Sequence, residues 1–264
     1  MSLIDTHAHL EGFSHGGTLE GMLADARLAG VGEVIAIGTA GDDWMLGREL
    51  ARSHPGVLHH TVGLHPCSVG EGWEKAVEKL EAHWQGEPRP VGLGECGLDR
   101  FHLPPDPAEA EANFSRQRAA FAAQLDLARR LGCPVVVHSR GAFLPCLEMI
   151  DRSGVDWGRV VFHCFSEGLG EIAQLNRRGG RGSFTGILTY KKAEEVRAAA
   201  REQGLTALML ETDAPYLAPV PYRGKANQPA YLRPIAEFAA LLFGISYDEL
   251  AATTTANSRK FFGL

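Results

Sequence analysis

Several patterns that define common protein classes are missing from this sequence. Its 264 residues contain five cysteines, an odd number, and no two of them form a C-x-x-C pair. The odd number argues against a disulfide framework, and the lack of close pairs argues against a structural zinc site. This cysteine usage is typical of a reducing compartment, so we expect a cytoplasmic protein.

Excess positive charge and long apolar segments are missing as well. Acidic residues outnumber basic residues by 32 to 26, which gives a formal net charge of −6, and there is no lysine-rich tail or arginine block. This excludes a protein that coats nucleic acid through bulk charge, although it leaves room for a local phosphate site. The longest apolar run, residues 238–245, is far shorter than the roughly 20 residues that span a bilayer. Residues 1–5 do not resemble a signal peptide, and we expect no membrane association.

What the sequence does contain is typical of a globular α/β protein. Hydrophobic residues make up 45% and charged residues 22% of the chain, which is enough apolar surface for a large core. Several short β-rich runs, such as residues 135–137, are continuously apolar, as expected for parallel strands covered on both faces. The eight predicted strands cover residues 2–7, 32–38, 57–63, 90–94, 134–138, 159–163, 182–187 and 207–211.

Helical segments between these strands favour one architecture. Residues 19–29 and 114–131 have helical spacing and end before a glycine, and two more helices are predicted at 230–243 and 247–262. Because no linker divides the chain, eight β–α units in about 250 residues predict a (β/α)8 TIM-like barrel. We expect a single domain, 1–264, with extra C-terminal helices. The alternative is a doubly wound open sheet, but no G-x-G-x-x-G follows a predicted strand.

Candidate metal ligands and proton-transfer groups end six of the eight predicted strands. In a barrel of this type the catalytic residues lie at the C-terminal ends of the strands. One histidine there is more often a hydrogen-bonded, partly buried ring, but five histidines at the same end indicate a functional site. The residues concerned are Asp5, His7, His9, His65, Glu95, His138, His163 and Asp213.

The chemistry of these side chains favours a pair of divalent cations. His7 and His9 lie two positions apart on one strand, so they point to the same face and can chelate one cation. Asp5 shares that face and is either a third ligand or, as we favour, an acceptor that orients an imidazole. Imidazoles and carboxylates without thiolate suit Zn²⁺ or Mn²⁺ and also accommodate Mg²⁺. The number of donors exceeds the needs of one ion, so we expect two ions with Glu95 as the bridge.

Seven motifs follow one another along nearly the whole chain. They are DTHAHL at 5–10, GLHP at 63–66, GECGLD at 94–99, HSR at 138–140, HCFS at 163–166, ETDAPYL at 211–217 and RGKAN at 223–227. Together they resemble the TatD family of metal-dependent deoxyribonucleases, which belongs to the amidohydrolase-like barrels. The related phosphotriesterase-like barrels carry a carbamylated lysine at the fourth strand end, where this chain has Glu95.

The resemblance implies a two-metal hydrolase with Mg²⁺, Mn²⁺ or Zn²⁺ and a role for each site residue. The implied ligands are His7, His9, Glu95 and Asp213 for one ion and Glu95, His138 and His163 for the other. A water activated between the ions would attack a phosphodiester, with Asp213 as the base. His65 would lie on the substrate side, where it stabilises the developing charge or protonates the leaving oxygen.

Three departures from the family pattern concern the rim of the site. Gln228 stands where the family usually has the glutamate of an Asn-Glu-Pro motif, and Gly141 stands where an aspartate is common. Cys67 follows a His-Pro pair that often precedes another histidine. None of the three is a proposed ligand, so they bear on substrate preference more than on hydrolysis.

The substrate implied by the resemblance is DNA, bound as a single strand over a few nucleotides. Arg223 and Lys225, in the loop after the eighth strand, are candidates to bind phosphate, with Tyr222 as a stacking surface. We expect a monomeric 3′–5′ exonuclease that acts on single-stranded ends. The alternatives are a hydrolase of small-molecule amides, lactones or phosphoesters, and a non-catalytic metal-binding barrel.

Overall fold

Eight parallel strands in residues 2–264 form the barrel that the sequence predicts. The computed structural model describes those residues, and each strand pairs with the next one in sequence. The N–H groups of Asp213 and His9 donate to the carbonyl oxygens of His7 and Ala214, at 2.9 and 2.8 Å, and so join the last strand to the first. The strands are β1 Leu3–Ala8, β2 Val31–Ala36, β3 Leu58–Val62, β4 Gly92–Asp99, β5 Val135–Arg140, β6 Val160–Phe162, β7 Arg181–Phe184 and β8 Met209–Leu210.

Ten α-helices in the same residues connect and cover the strands. They are α1 Glu11–His15, α2 Leu19–Leu28, α3 Gly41–Ser53, α4 Trp73–Trp84, α5 Pro107–Leu131, α6 Phe143–Ser153, α7 Leu169–Arg178, α8 Glu194–Gln203, α9 Leu232–Phe243 and α10 Tyr247–Phe262. Helix α5 begins earlier than predicted because the Asp106 carboxylate accepts hydrogen bonds from the N–H groups of Ala108 and Glu109, at 3.0 and 2.9 Å. Across residues 2–264, no helix combines the length and the apolar content needed to cross a membrane.

Two groups of apolar side chains hold the barrel together. In β5, Val135 and Val137 belong to the large group between strands and helices, whereas Val136 belongs to a smaller group inside the barrel. The inner group includes Phe261 and Phe262 of α10. The ring of Phe262 lies against the first residue of β4, so α10 closes the end of the barrel where the strands begin. The opposite end is free to form a site.

A buried histidine on β3 predicts that the fold is sensitive to acid. His60 is 1% exposed beneath α3, and neither of its ring nitrogens has a hydrogen-bond partner within residues 2–264. Burial, with a smaller contribution from the charge of Arg48, lowers the pKa of His60 to about 4. In the unfolded chain the same side chain binds its proton below about pH 6.5. The folded state therefore loses about 3 kcal/mol of stability as the pH falls from about 6.5 to about 4.

We expect His60→Leu to abolish this contribution. Urea unfolding at about pH 7 and about pH 4 measures it, and the wild type should lose about 3 kcal/mol more than the variant between the two conditions. The matched control is His15→Leu at an exposed histidine, which should behave like the wild type. Equal losses in the wild type and in His60→Leu would contradict the assignment.

Candidate metal centre

The open end of the barrel contains a cavity of about 760 Å³ that is surrounded by the residues singled out in the sequence. His7 lies beneath it, fully buried, with its ring stacked on that of His163 at a centroid distance of 4.0 Å. The candidate residues that line the cavity are His9, His65, Glu95, His138, His163 and Asp213. The ends of six strands therefore converge on one small volume, as the barrel topology requires.

A bulge in β4 carries Glu95 into the centre of this volume. The pairing of β4 with β5 shifts between Leu93 and Cys96, so that β4 has one extra residue at this point. Gly94 has a φ of +144°, and a Cβ on it would lie 2.5 Å from the carbonyl oxygen of Val136. Only glycine permits such a close approach, and a bulge of this kind redirects the side chain that follows it.

Four donor atoms form the first group. They are Nε2 of His7, Nε2 of His9, Oε2 of Glu95 and Oδ1 of Asp213. The four measured distances from a histidine nitrogen to a carboxylate oxygen are between 3.3 and 3.7 Å. Two ligands of a tetrahedral ion with bonds of about 2.0–2.1 Å lie about 3.4 Å apart. The group therefore has the dimensions of a site for one divalent cation.

The environment of His7 supplies a second test of this fit. Its side chain is 0% exposed, and neither ring nitrogen has a hydrogen-bond partner in the part of the chain that the structure describes, residues 2–264. A buried polar atom without a partner costs about 1–3 kcal/mol. A cation bound at Nε2 would satisfy that atom, so the residues present fit a metal ion at this position.

The other oxygen of Glu95 faces a second group of donors. Oε1 lies 2.7 Å from Nδ1 of His138 and 2.7 Å from Nε2 of His163, and these two nitrogens are 3.4 Å apart. Nε2 of His65 is 3.4 Å from the same oxygen. His65 thus borders the second group and also lines the cavity, so the substrate-side role that the resemblance implies stays a prediction. One carboxylate faces both groups through different oxygens, which is the arrangement that a bridging ligand needs.

Two carboxylates that the sequence analysis left without a role lie behind the histidines. Oδ2 of Asp99 accepts a hydrogen bond from Nε2 of His138 at 3.0 Å, and Oε1 of Glu211 lies 3.6 Å from Nδ1 of His163. The hydrogen bond from His138 to Asp99 fixes the tautomer and the ring orientation of that imidazole, whereas Glu211 lies near His163 without a hydrogen bond to its ring. Both residues belong to motifs that contain candidate ligands, which is the signal that could have identified them.

Asp5 lies outside both donor groups, but its partners differ from those expected. Its carboxylate accepts hydrogen bonds from the N–H of His7 at 3.3 Å, from the N–H of Thr212 at 2.9 Å and from Oγ1 of Thr212 at 2.6 Å. None of these donors is an imidazole, so the predicted role of orienting a histidine ring is wrong. Burial raises the pKa of Asp5 to about 7, although the hydrogen bonds from Thr212 oppose this rise. Asp5 therefore ties β1 to the segment that carries Asp213.

Carboxylates and imidazoles of the centre shift one another's pKa values strongly. Burial by itself raises the pKa of Glu95, but the surrounding histidines, first of all His163, hold it well below its usual range. Burial lowers the pKa of His9, yet Asp213 and Glu95 together raise it to about 9. The carboxylate of Glu95 likewise raises the pKa of His163 against the effect of burial. A cation that binds here must displace these protons, so its affinity falls as the pH is lowered.

The three predicted substrate contacts lie on the loop after β8, outside the residues that line the cavity. Tyr222 stacks on Tyr231 with ring centroids 3.9 Å apart and an angle of 2° between the planes. The guanidinium of Arg223 lies 3.9 Å from the ring centroid of Tyr190, and Nζ of Lys225 lies 5.9 Å from that of Tyr222. These side chains pack on aromatic rings of their own chain, and their part in substrate binding stays a prediction.

Other exposed side chains stand at the cavity instead. Arg140 and Tyr216 line it, and the guanidinium of Arg140 lies 4.0 Å from the ring centroid of Phe101. Tyr216 is 60% exposed at the cavity, and Phe101, which contacts Arg140 but lies outside the cavity lining, is 68% exposed; such exposure is unusual for large rings. Arg140 and Tyr216 belong to the motifs HSR at 138–140 and ETDAPYL at 211–217, and their position in those motifs is the signal that points to them.

The sequence and the fold are similar to those of known metal-dependent hydrolases. Residues 4–263 match the model of the family described as TatD related DNase. The chain is 36% identical over 265 residues to the uncharacterized metal-dependent hydrolase YcfH of Escherichia coli K12, covering 99% of this chain and 96% of that protein. It is 33% identical over 247 residues to the 3′-5′ ssDNA/RNA exonuclease TatD of Erwinia amylovora, covering 90% of this chain and 91% of that protein.

A solved structure extends the similarity to three dimensions. The crystal structure of YjjV, a TatD homologue from Escherichia coli K12, matches with a TM-score of 0.89 and 28% sequence identity. The match covers 99% of this chain and 98% of that one, so the barrel and its connecting segments correspond throughout.

Proposed function

This chain belongs to the family of TatD-related DNases, and on that premise we propose that it is a two-metal phosphodiesterase acting on the 3′ ends of single-stranded DNA. Family membership makes it a metal-dependent hydrolase. The observation that carries the finer proposal is the position of Glu95. Its two carboxylate oxygens face two separate groups of nitrogen and oxygen donors, as a ligand shared between two cations requires.

The carboxylates and imidazoles of the centre divide the chemistry between them. Divalent cations, when bound, supply the positive charge that lowers the pKa of water and offsets the charge of the phosphodiester. Burial raises the pKa of Asp213, but His9 and its neighbours hold it below its usual value, so the carboxylate is ionised and can accept the proton of the attacking water. His65, which lines the cavity, is the group we assign to protonate the leaving oxygen.

The surroundings of the centre support a short single-stranded substrate. A cavity of about 760 Å³ has room for a terminal nucleotide. The guanidinium of Arg140 can bind a phosphate through two parallel hydrogen bonds, and the exposed rings of Phe101 and Tyr216 offer faces on which bases can stack. The Erwinia amylovora relative is named as a 3′-5′ ssDNA/RNA exonuclease, which supports the same choice of substrate and polarity.

The cavity also suits a small molecule, because ligand pockets for such molecules have volumes of about 300–1,000 Å³. A hydrolase of lactones, cyclic amides or phosphotriesters is therefore the second candidate. It would use the same donor groups, so neither the fold nor the candidate ligands separate the two functions.

A substrate panel with metal-loaded protein tests the proposal. The panel holds end-labelled single-stranded DNA, duplex DNA, RNA, and a set of lactones, cyclic amides and phosphotriesters. We expect stepwise release of nucleotides from the 3′ end of single-stranded DNA. Asp213→Asn, which keeps an oxygen donor but removes the base, should lower this rate about 10²–10⁴-fold and so exclude a contaminating nuclease. Turnover of the small molecules alone, or no turnover of any substrate, would contradict the proposal.

The proposal also includes the setting in which the protein works. All five cysteines are free in the structure, which is the state expected in a reducing compartment such as the cytoplasm. A cytoplasmic monomer that acts on a few nucleotides at a time fits an acidic chain that has no block of basic residues.

A further inference from the structure

A second set of metal-binding side chains lies at the rim of the cavity, apart from the two donor groups. Cys67 is in the short 3₁₀ turn Pro66–Ser68 after β3, Asp99 ends β4, and His102 follows in the next loop. One donor atom from each of these three residues lies within 4.8 Å of the others. We propose that Cys67, Asp99 and His102 form an additional site for a zinc-like divalent cation. This site goes beyond the proposed nuclease function and does not depend on it.

The distances between the three donor atoms suit such an ion. Sγ of Cys67 is 3.7 Å from Oδ2 of Asp99 and 3.7 Å from Nδ1 of His102, and Nδ1 donates a hydrogen bond to Oδ2 at 2.8 Å that a bound ion would replace. A tetrahedral Zn²⁺ has bonds of about 2.3 Å to sulphur and about 2.0 Å to nitrogen and oxygen. These bonds place the sulphur about 3.5 Å from the nitrogen and from the oxygen, and the nitrogen about 3.3 Å from the oxygen. Shifts of about half an ångström or less convert one triangle into the other.

The donors are also held in place by hydrogen bonds that an ion would not disturb. Asp99 is fully buried, and its Oδ1 accepts hydrogen bonds from the N–H groups of Phe101 and His102, at 2.7 and 2.9 Å. Its Oδ2 is thereby directed at the side chains of Cys67 and His102. The N–H of Cys67 donates to Nδ1 of His65 at 3.1 Å, which fixes the turn that carries the thiol. The site is therefore preorganised on two loops.

The types of donor decide which cation fits. A thiolate combined with an imidazole and a carboxylate suits Zn²⁺ or Co²⁺, whereas Mg²⁺ prefers oxygen ligands alone. The thiol of Cys67 releases its proton to solvent when the sulphur binds the ion. Cys67 is exposed and the His102 side chain is 51% exposed, so an ion can reach the site. Three protein ligands leave one position for a water or for an oxygen of the substrate.

The additional site is physically connected to the centre. Oδ2 of Asp99, which would bind the rim cation, is the same atom that accepts the hydrogen bond from Nε2 of His138. An ion at the rim therefore competes with that hydrogen bond. This competition couples binding of the rim ion to the orientation of His138, a candidate ligand in the second donor group.

Titration with Co²⁺ tests the proposal without an activity assay. Wild type, Cys67→Ser and His102→Asn are loaded with Co²⁺, dialysed and analysed for bound metal. The matched control is His54→Asn, a histidine at the end of α3 that contacts Glu20. We expect the wild type and the control to bind one equivalent more than either rim variant and to show a thiolate-to-cobalt charge-transfer absorption that both rim variants lack. Zn²⁺ should also slow the alkylation of Cys67 by iodoacetamide in the wild type.

Equal metal content in all four proteins, together with the absence of the thiolate absorption from the wild type, would overturn the proposal. The test compares the bound metal of each rim variant with that of the wild type, so it does not depend on how many ions the two donor groups hold. It is also independent of the substrate panel, so a failure of the nuclease proposal and a failure of the rim site are distinguishable. Cys67 is exposed and the side chains of His102 and His54 are 51% and 20% exposed, and circular dichroism of each variant checks that the barrel is intact.

Discussion

Replacement of Glu95 with glutamine is expected to lower kcat/KM for the phosphodiester substrate by about 10⁴-fold or more. The substitution keeps the shape of the side chain but turns one of its oxygens into an NH₂ group, which cannot bind a cation. One donor group then loses the ligand that it shares with the other. The lost charge stabilisation amounts to several kcal/mol, and each 1.36 kcal/mol corresponds to about tenfold in rate. Steady-state kinetics combined with metal analysis measures both consequences, because bound metal should decrease as well.

The control for this variant is Arg223→Ala. Its guanidinium packs on Tyr190, outside the residues that line the cavity, so its removal should cost less than about tenfold in kcat/KM. A thermal melt of each variant separates loss of the centre from loss of the fold. Similar, modest losses from Glu95→Gln and Arg223→Ala would reject the assignment of Glu95 as the bridge.

Exhaustive chelation followed by dialysis is expected to abolish hydrolysis, and addition of Mn²⁺, Mg²⁺ or Zn²⁺ is expected to restore it. The reason lies in the composition of the centre. The two donor groups contain carboxylates and imidazoles but no lysine or arginine, so a bound cation would have to supply the lasting positive charge that activates the water. Metal addition should also raise the thermal midpoint, because an ion that binds only the folded state stabilises it by mass action. Assays before chelation, after chelation and after each addition, with melting curves alongside, measure both effects.

The pH dependence of the restoration provides an internal check. The pKa of His9 is about 9, so its proton competes with the cation at neutral pH. The metal concentration that restores half of the activity should therefore rise as the pH is lowered from about 9 to about 7. Activity that survives exhaustive chelation would contradict the metal-dependent scheme, and so would a chelated protein that stays folded but regains no activity with any of the three ions.

The sequence by itself determined the barrel and the identity of the candidate donors. Strand formation is signalled locally, because a run such as residues 135–137 is apolar at every position only if both of its faces are covered. Eight β-rich runs that alternate with helical segments in a chain of this length leave few alternatives to a (β/α)8 barrel. Since the carboxyl ends of all parallel strands in such a barrel lie at one end, the sequence predicts that residues as distant as His7, His138 and Asp213 meet there.

The tertiary structure alone decided which atoms face one another. The extra residue in β4 between Leu93 and Cys96 directs the two oxygens of Glu95 to different donor groups, and only the pairing with β5 reveals it. The partners of Asp5, the positions of Asp99 and Glu211 behind the histidines, and the stacking of Tyr222 on Tyr231 depend in the same way on contacts between distant parts of the chain. A local sequence pattern indicates which side chain is present and on which face of a strand it lies. Register, rotamer and the choice between two oxygens of one carboxylate are set by the packed neighbours, and the neighbours become known only when the chain is folded.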